Sequence, residues 1–245
     1  MHLERLRLQR RGFVAWVELS GEPLDAREAA ELVAVATELA EDEAIRVVVL
    51  GSQGAHFCPG AGSSLDPLAF LPDPAAAIAS LRPPVVAVCR GEVASVGLEL
   101  ALAADVRLAD TTALFSVSDV TEGRVPSWGG TQRLPRAVGP ARALAMLMLG
   151  ERVDGTTAAQ IGLVHDVVDA EGFDEALTAL VEGLAALAPL ALALAKEAVS
   201  RGTEIPMADG LRLEGDLNHL LQTTEDRAEG LQAFFEKREP RFSGR

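Results

Sequence analysis

Three short apolar runs constrain the fold of this chain most strongly. They span residues 46–51, 85–88 and 106–109; the first two are rich in β-branched residues, and the third contains Val106 and Leu108. Runs of this kind are typical of parallel strands that are buried on both faces of a sheet. Because parallel strands must be joined by crossover connections, usually helices, the sequence predicts an α/β core.

The segments around these runs extend the prediction. Residues 13–19 predict another strand and residues 26–40 a helix, while the glycines and Pro59 within 52–66 predict a loop whose backbone can approach a ligand closely. After Gly139 the pattern changes to helices with little strand between them. The predicted helices are 141–149, 156–161, 174–187, 189–200 and 207–218. We predict an α/β core over residues 1–190 and a helical C-terminal region over 191–245.

Composition argues against several classes of protein. The 245 residues suffice for one substantial core, and the net charge of −14 argues against a nucleic-acid partner. No apolar run approaches the roughly 20 residues that span a bilayer, and the N-terminus lacks the apolar stretch of a secretory signal. We therefore expect a cytoplasmic protein with no membrane partner. Two cysteines and four scattered histidines lack ligand spacing, so we expect no metal.

Two carboxylates stand out against this background. Glu99 lies near the start of an otherwise apolar predicted helix, and Asp119 follows a predicted strand. Burying a carboxylate there is costly unless backbone N–H groups stabilise it or chemistry requires it. Two carboxylates at one pocket would suffice for general acid–base catalysis. The residues alone also allow two structural roles. Glu99 could be a negative charge stabilised by the helix dipole at a helix N-terminus, and Asp119 could cap a turn at 120–122.

Four motifs follow one another along the chain. They read VVVLGSQGAHFCPGAG (47–62), GEVASVGLELALAAD (91–105), PSWGGTQRLPRAVG (126–139) and TTEDRAEGLQAFFEKREPRF (223–242). With these motifs in this order, the chain resembles the enoyl-CoA hydratase/isomerase superfamily, also called the crotonase superfamily.

The resemblance implies a fold and a reaction type. The implied fold is α/β, a crotonase-like spiral of ββα units with a helical C-terminal trimerisation region, assembled as a homotrimer or hexamer. The implied substrates are acyl-CoA thioesters, so coenzyme A belongs to the substrate and no other cofactor is expected. Two backbone N–H groups would form an oxyanion hole for the thioester carbonyl.

Site residues follow from the resemblance by position. The oxyanion donors fall on the N–H groups of Ala61 and Val96, and the catalytic carboxylates on Glu99 and Asp119. The residues implied to border the bound acyl-CoA are Leu24, Ala61, Gly62, Ser63, Ser64, Trp128, Phe235 and Lys237.

The chain departs from the family pattern at several of these positions. Asp119 replaces a glutamate and is one methylene shorter, which leaves Glu122 as a possible substitute for it. Val96 replaces a glycine, and a β-branched residue cannot take a positive φ cheaply. The remaining changes are Ser95 for glycine, Gly62 for aspartate, and Trp128, a candidate wall of the acyl pocket, for a small residue.

The predicted function is hydration of 2-enoyl-CoA thioesters by a lyase. Alternatives on the same scaffold are an enoyl-CoA isomerase, a hydrolase, another lyase or a decarboxylase acting on an unusual acyl group. A further alternative is a catalytically weak acyl-CoA-binding protein. The product of the reaction separates these alternatives.

Overall fold

The computed structural model describes residues 2–69 and 73–245. The strands are β1 (Arg7–Arg11), β2 (Val14–Leu19), β3 (Val47–Ser52), β4 (Val85–Cys89), β5 (Glu92–Ala94), β6 (Val106–Asp110), β7 (Leu114–Ser116), β8 (Val153–Asp154) and β9 (Asp166–Val168). The helices are α1 (Ala26–Ala40), α2 (Pro74–Ala79), α3 (Val96–Ala103), α4 (Gly130–Val138), α5 (Pro140–Leu149), α6 (Gly155–Gln160), α7 (Phe173–Ala186), α8 (Pro189–Gly202), α9 (Met207–Leu221) and α10 (Glu225–Glu236).

The strands form two sheets. The larger has the order β1-β2-β3-β4-β6-β9 and is parallel apart from β1, which pairs antiparallel with β2 at one edge. The smaller has the order β5-β7-β8, with β5 parallel to β7. Successive strands β4, β5, β6 and β7 thus alternate between the sheets, with α3 between β5 and β6. The predicted α/β fold with ββα units is confirmed.

Most predicted elements are present, with bounds that differ by up to three residues. The predicted strands correspond to β2, β3, β4 and β6, and the predicted C-terminal helices to α5–α9. Four strands were not predicted: β1, which is polar and lies at the sheet edge, and the short β5, β8 and β9. Strand β7 corresponds to the strand predicted before Asp119. Strand β8 is two residues long and β9 three, which is too short for an alternating pattern to register.

The C-terminal region is helical, as predicted. The boundary between residues 190 and 191 stays a prediction, and α8 already begins at Pro189. Among the described residues, no single helix is long and apolar enough to cross a bilayer. Only α7 and α8 taken together reach that length and composition, and they are bent by 101° relative to each other.

Helix α3 is buried along its whole length, which requires a close approach at Gly97. A Cβ atom at position 97 would lie 2.3 Å from the carbonyl oxygen of Cys58 and 2.7 Å from its Cβ. That carbonyl also accepts the N–H of Ala94 at 2.9 Å, and Cys58 pairs with Val93 of β5. Gly97 therefore sets the spacing between the start of α3 and the loop after Cys58.

We predict that Gly97→Ala destabilises the protein, because the added methyl group meets backbone rather than a movable side chain. The expected loss in the free energy of unfolding is about 1–3 kcal/mol, measured by urea denaturation. Gly183→Ala in α7 is the matched control, since a Cβ there meets nothing within 4 Å. It should gain up to about 1 kcal/mol from helix propensity. Equal effects of the two substitutions would contradict this account of Gly97.

Candidate active site

Glu99 lies in the first turn of α3 and is only 3% exposed. Its Oε1 accepts the backbone N–H of Trp128 at 2.7 Å and that of Gly130 at 2.8 Å. Its Oε2 is buried and has no hydrogen-bond partner in the described part of the chain. A Cβ at Gly130 would lie 3.0 Å from Oε1, so this approach favours glycine. One carboxylate oxygen is thus fixed by backbone, and the other is left for a ligand.

Burial raises the pKa of Glu99 to about 7. The N–H groups of Gly130 and Trp128 act against this shift, whereas the negative charge of Asp119 adds to it. A carboxyl group with a pKa near 7 both donates and accepts protons readily at neutral pH.

Asp119 is 5% exposed and is the first residue of a 3-10 turn, Asp119–Glu122. Its Oδ2 is buried without a partner among the described residues, and its Oδ1 lies 3.9 Å from Nε of Arg124. Ser118, not Asp119, occupies the N-cap position, and Asp119 makes no capping bond. The alternative that Asp119 serves as a cap is therefore wrong.

Glu122, the possible substitute for Asp119, has other partners. Its side chain is half exposed, and it binds Arg124 through Oε2 at 2.6 Å. Its Oε1 accepts the hydroxyl of Ser118 at 3.0 Å. Asp119 is therefore the better candidate for the second carboxylate, because only Asp119 combines burial with an unpartnered oxygen.

Leu24 holds the backbone on both sides of Ala61. The Leu24 N–H donates to the Gly60 carbonyl at 2.9 Å, and the Leu24 carbonyl accepts the Gly62 N–H at 2.8 Å. The N–H of Ala61 itself meets no acceptor within residues 2–69 and 73–245. The loop is therefore anchored by its neighbours while the candidate oxyanion donor stays unpaired.

Val96 begins α3, so its N–H is one of the helix-terminal donors without an intrahelical partner. No other acceptor reaches it in the described chain. The positive φ of this turn falls on Ser95, at 46°, and not on Val96. The replacement of glycine by valine at position 96 therefore does not strain the backbone there.

Cys58 connects the two candidate donors. It lies three residues before Ala61, and its bonded neighbour Ala94 lies two residues before Val96. Its own thiol is buried, which raises the pKa to about 12 and makes it a poor nucleophile at neutral pH.

Trp128 is 1% exposed and ties two parts of the site together. Its backbone N–H binds Glu99, while its indole Nε1 donates to the carbonyl of Pro67 at 2.8 Å. Pro67 belongs to the loop that continues from Gly62, in which Ser63 and Ser64 are exposed. The indole therefore joins the carboxylate site to the loop of the candidate oxyanion donor.

Phe235 and Lys237 stand apart from these residues within a single chain. Phe235 is 77% exposed near the end of α10, and Lys237 is the exposed C-cap of that helix. Neither has a described contact with Glu99 or Asp119. Their predicted role in binding CoA stays a prediction.

Several features of the site were not predicted from sequence. The N–H groups of Trp128 and Gly130 that hold Glu99, and Arg124 beside Asp119, were missed because their contacts depend on the tertiary structure. The paired glycines at 129–130 were the available signal. Among the described residues, no group of three or more His, Cys, Asp or Glu side chains could hold a metal ion.

The arrangement has a definite chemical capacity. Two unpaired N–H groups can stabilise a developing oxyanion, and two buried carboxylates can move protons next to it. This combination suits reactions through an enolate.

Comparisons with known proteins identify the family of the chain. A sequence model of the family described as enoyl-CoA hydratase/isomerase matches residues 71–245. The human protein named enoyl-CoA hydratase domain-containing protein 2, mitochondrial, is 38% identical over 234 residues, which cover 88% of this chain and 79% of that protein. The 2,3-dehydroadipyl-CoA hydratase of Escherichia coli is 38% identical over 88% of this chain and 86% of that protein.

A solved structure extends the likeness to the fold. The crystal structure of enoyl-CoA hydratase from Bacillus anthracis superimposes with a TM-score of 0.91 at 31% identity. The match covers 99% of this chain and all of that one.

The raised pKa of Glu99 predicts a stability difference that depends on pH. The folded state holds the Glu99 proton more tightly than the unfolded chain does. The bound proton therefore stabilises the folded protein below about pH 4.5, and this stabilisation is lost as the pH rises to about 7. Relative to Glu99→Gln, the unaltered protein should therefore lose on the order of 3 kcal/mol of unfolding free energy over this window.

Denaturant unfolding at a series of pH values tests this prediction. Glu214→Gln, which alters an exposed carboxyl group on α9, should follow the unaltered protein across the series. A Glu99→Gln curve parallel to that of the unaltered protein would contradict the pKa assigned to Glu99.

Proposed function

Because the chain belongs to the enoyl-CoA hydratase/isomerase family, we propose that it is an enoyl-CoA hydratase, a lyase that adds water to 2-enoyl-CoA thioesters. One observation carries the proposal. Two buried carboxylates, Glu99 and Asp119, each keep an unpartnered oxygen, and the backbone N–H groups of Ala61 and Val96 meet no acceptor within the described residues.

In this proposal the N–H groups of Ala61 and Val96 bind the thioester carbonyl oxygen. Donors fixed by Leu24 and by the start of α3 need no rearrangement as negative charge develops on that oxygen. Such preorganised donors stabilise an oxyanion by several kcal/mol. Polarisation of the carbonyl draws electrons from the double bond and makes C3 electrophilic.

Glu99 and Asp119 then share one water molecule through their unpartnered oxygens. One carboxylate accepts a proton from this water as its oxygen bonds to C3, and a carboxyl group delivers a proton to C2. The net change is one water added across the double bond. The two groups together start and end with one proton, which has moved from one carboxyl group to the other, and proton exchange between them or with solvent restores the starting state. The pKa of Glu99 near 7 suits either direction of transfer at neutral pH.

The loop after Ala61 would border the rest of the thioester. Leu24 binds the backbone on both sides of Ala61, and Gly62, Ser63 and Ser64 follow Ala61 in the chain. These four residues are proposed to line the CoA arm. No cofactor beyond the CoA of the substrate is required, and a pantetheine arm on a carrier protein would present the same atoms.

We propose a homotrimer or hexamer as the assembled form. Large apolar side chains are exposed along the C-terminal helices, where a second copy would cover them. They include Val199, Met207, Leu211, Leu220, Leu231, Phe234 and Phe235. Phe235 and Lys237 would then meet the CoA bound to a neighbouring subunit. Cytoplasmic location stays a prediction, and one relative is named a mitochondrial protein.

An enoyl-CoA isomerase is the second candidate. The shorter side chain of Asp119, with its Oδ1 3.9 Å from Arg124, could leave too much space for a water shared with Glu99. One carboxylate would then carry a proton between C2 and C4 of the same enolate. A hydrolase, a decarboxylase or a weakly active acyl-CoA-binding protein would use the same thioester site.

We expect crotonyl-CoA to gain the mass of one water, with kcat lowered at least about 100-fold in both Glu99→Gln and Asp119→Asn. Both substitutions keep side-chain size and remove the transferable proton. Mass spectrometry of the product and initial rates measure the outcome. Glu214→Gln on α9 serves as the control and should keep the unaltered rate. Water addition that survives in Asp119→Asn would contradict its role and direct the test to Glu122.

A second prediction concerns acyl chain length. If the buried indole of Trp128 closes the acyl pocket, Trp128→Leu should raise kcat/KM for 2-decenoyl-CoA relative to crotonyl-CoA by about tenfold or more. Phe173→Leu is the control, because Phe173 is equally buried but packs on the sheet face covered by α7. An unchanged ratio in Trp128→Leu would show that Trp128 does not limit chain length.

A further inference from the structure

We infer that Ser95 is a positioning residue whose hydroxyl, bound to Ser118, fixes the oxyanion donor at Val96 relative to the carboxylate of Asp119. The inference rests on the proposed function and names a residue that acts through its neighbours. Ser95 directly precedes Val96, and Ser118 directly precedes Asp119.

The two serines meet although they are 23 positions apart in the chain. Their Oγ atoms lie 3.1 Å from each other, and Ser95 Oγ also accepts the backbone N–H of Ser118 at 3.2 Å. The N–H of Ser95 donates to the carbonyl of Ser116 at 3.0 Å. Three contacts therefore connect the turn before α3 with the turn that carries Asp119.

The direction of these bonds follows from the donors available. Ser118 Oγ donates its hydrogen to Glu122 Oε1 at 3.0 Å, so Ser95 Oγ is the donor in the contact between the two hydroxyls. A hydroxyl has one hydrogen and two acceptor lone pairs, and each serine uses its hydrogen and at least one lone pair here. The chain of bonds ends on the carboxylate of Glu122, which is held by Arg124.

The backbone at Ser95 suggests that its side chain is kept for a reason. Its φ of 46° and ψ of −113° lie in a region that glycine adopts far more readily than any L-residue. Ser95 is also buried. The family pattern has glycine at this strained position. The hydrogen bonds of the Ser95 hydroxyl to Ser118 explain why this chain has serine there.

The link matters because both turns act in one step. Charge develops on the oxygen bound at Val96 while a proton moves at the carboxylates, so the separation of these groups enters the barrier. A misplacement of about 1 Å can cost about 100-fold in rate. Loss of the Ser95 hydroxyl should shift the two turns by less than about 1 Å. We therefore expect a loss in rate smaller than about 100-fold.

The test compares Ser95→Ala, Ser95→Gly, Ser118→Ala and the double variant Ser95→Ala/Ser118→Ala. Steady-state rates with crotonyl-CoA give kcat and KM. The infrared carbonyl stretch of bound butyryl-CoA, which has no double bond to hydrate, reports on the oxyanion hole separately. Ser80→Ala is the control, since it removes a hydroxyl that donates only to the Ala77 carbonyl at the end of α2.

We expect kcat to fall about tenfold in Ser95→Ala and Ser95→Gly, with KM changed less than about twofold. Ser118→Ala should show a smaller loss, because its backbone N–H still binds Ser95. The double variant should be no worse than Ser95→Ala, and the carbonyl stretch should move toward its value in water in all four variants. Ser80→Ala should match the unaltered protein.

Full activity in Ser95→Gly would overturn the inference, because it would reduce Ser95 to a backbone role. Additive losses in the double variant would overturn it as well. If crotonyl-CoA is not hydrated but butyryl-CoA binds, the proposed hydratase function fails while the carbonyl stretch still decides on Ser95. If butyryl-CoA does not bind, both fail.

Discussion

The site depends on one interaction, the burial of the Glu99 carboxylate against the N–H groups of Trp128 and Gly130. It requires a first-turn carboxylate on a buried helix and a glycine at 130, where a Cβ would lie 3.0 Å from Glu99 Oε1. Gly97 in turn brings α3 close to Cys58 and the oxyanion loop. Burial disfavours the charged form of Glu99 by more than the hydrogen bonds from the Trp128 and Gly130 N–H groups favour it. The pKa of Glu99 is therefore raised.

Departures from the family pattern cluster around this interaction. Trp128 replaces a small residue and spans from Glu99 to Pro67, Ser95 replaces a glycine and reaches Ser118, and Asp119 replaces a glutamate. None of these three changes removes a carboxylate or a backbone donor, whereas a fourth, Gly62 for aspartate, removes a carboxylate from the loop after Ala61. They alter the walls and the spacing of the site, which favours a change in acyl group over a loss of catalysis.

Most of the fold could be predicted because its signals are local. Buried β-branched runs mark β3 and β4, a short run with Val106 and Leu108 marks β6, and helical periodicity marks α1 and α5–α9. Polar β1 could not be recognised, since its pairing with β2 at the edge exposes most of it. Glu99 and Asp119 were predicted from their sequence context and from the family resemblance. The partners of Glu99, the Ser95–Ser118 contact and Arg124 depend on segments brought together only by folding. The positive φ at Ser95, rather than at Val96, also could not be predicted, because it is set by the conformation of the whole turn before α3.

The central claim is that a water molecule held between Glu99 and Asp119 adds to C3 of a 2-enoyl-CoA thioester, which passes through an enolate. Incubation of crotonyl-CoA in deuterium oxide enriched in oxygen-18 tests it most directly. The account predicts a 3-hydroxyacyl product with one solvent oxygen at C3 and one deuterium at C2. Deuterium incorporated without solvent oxygen would contradict it and indicate an isomerase, and recovery of unlabelled substrate would contradict catalysis on this thioester.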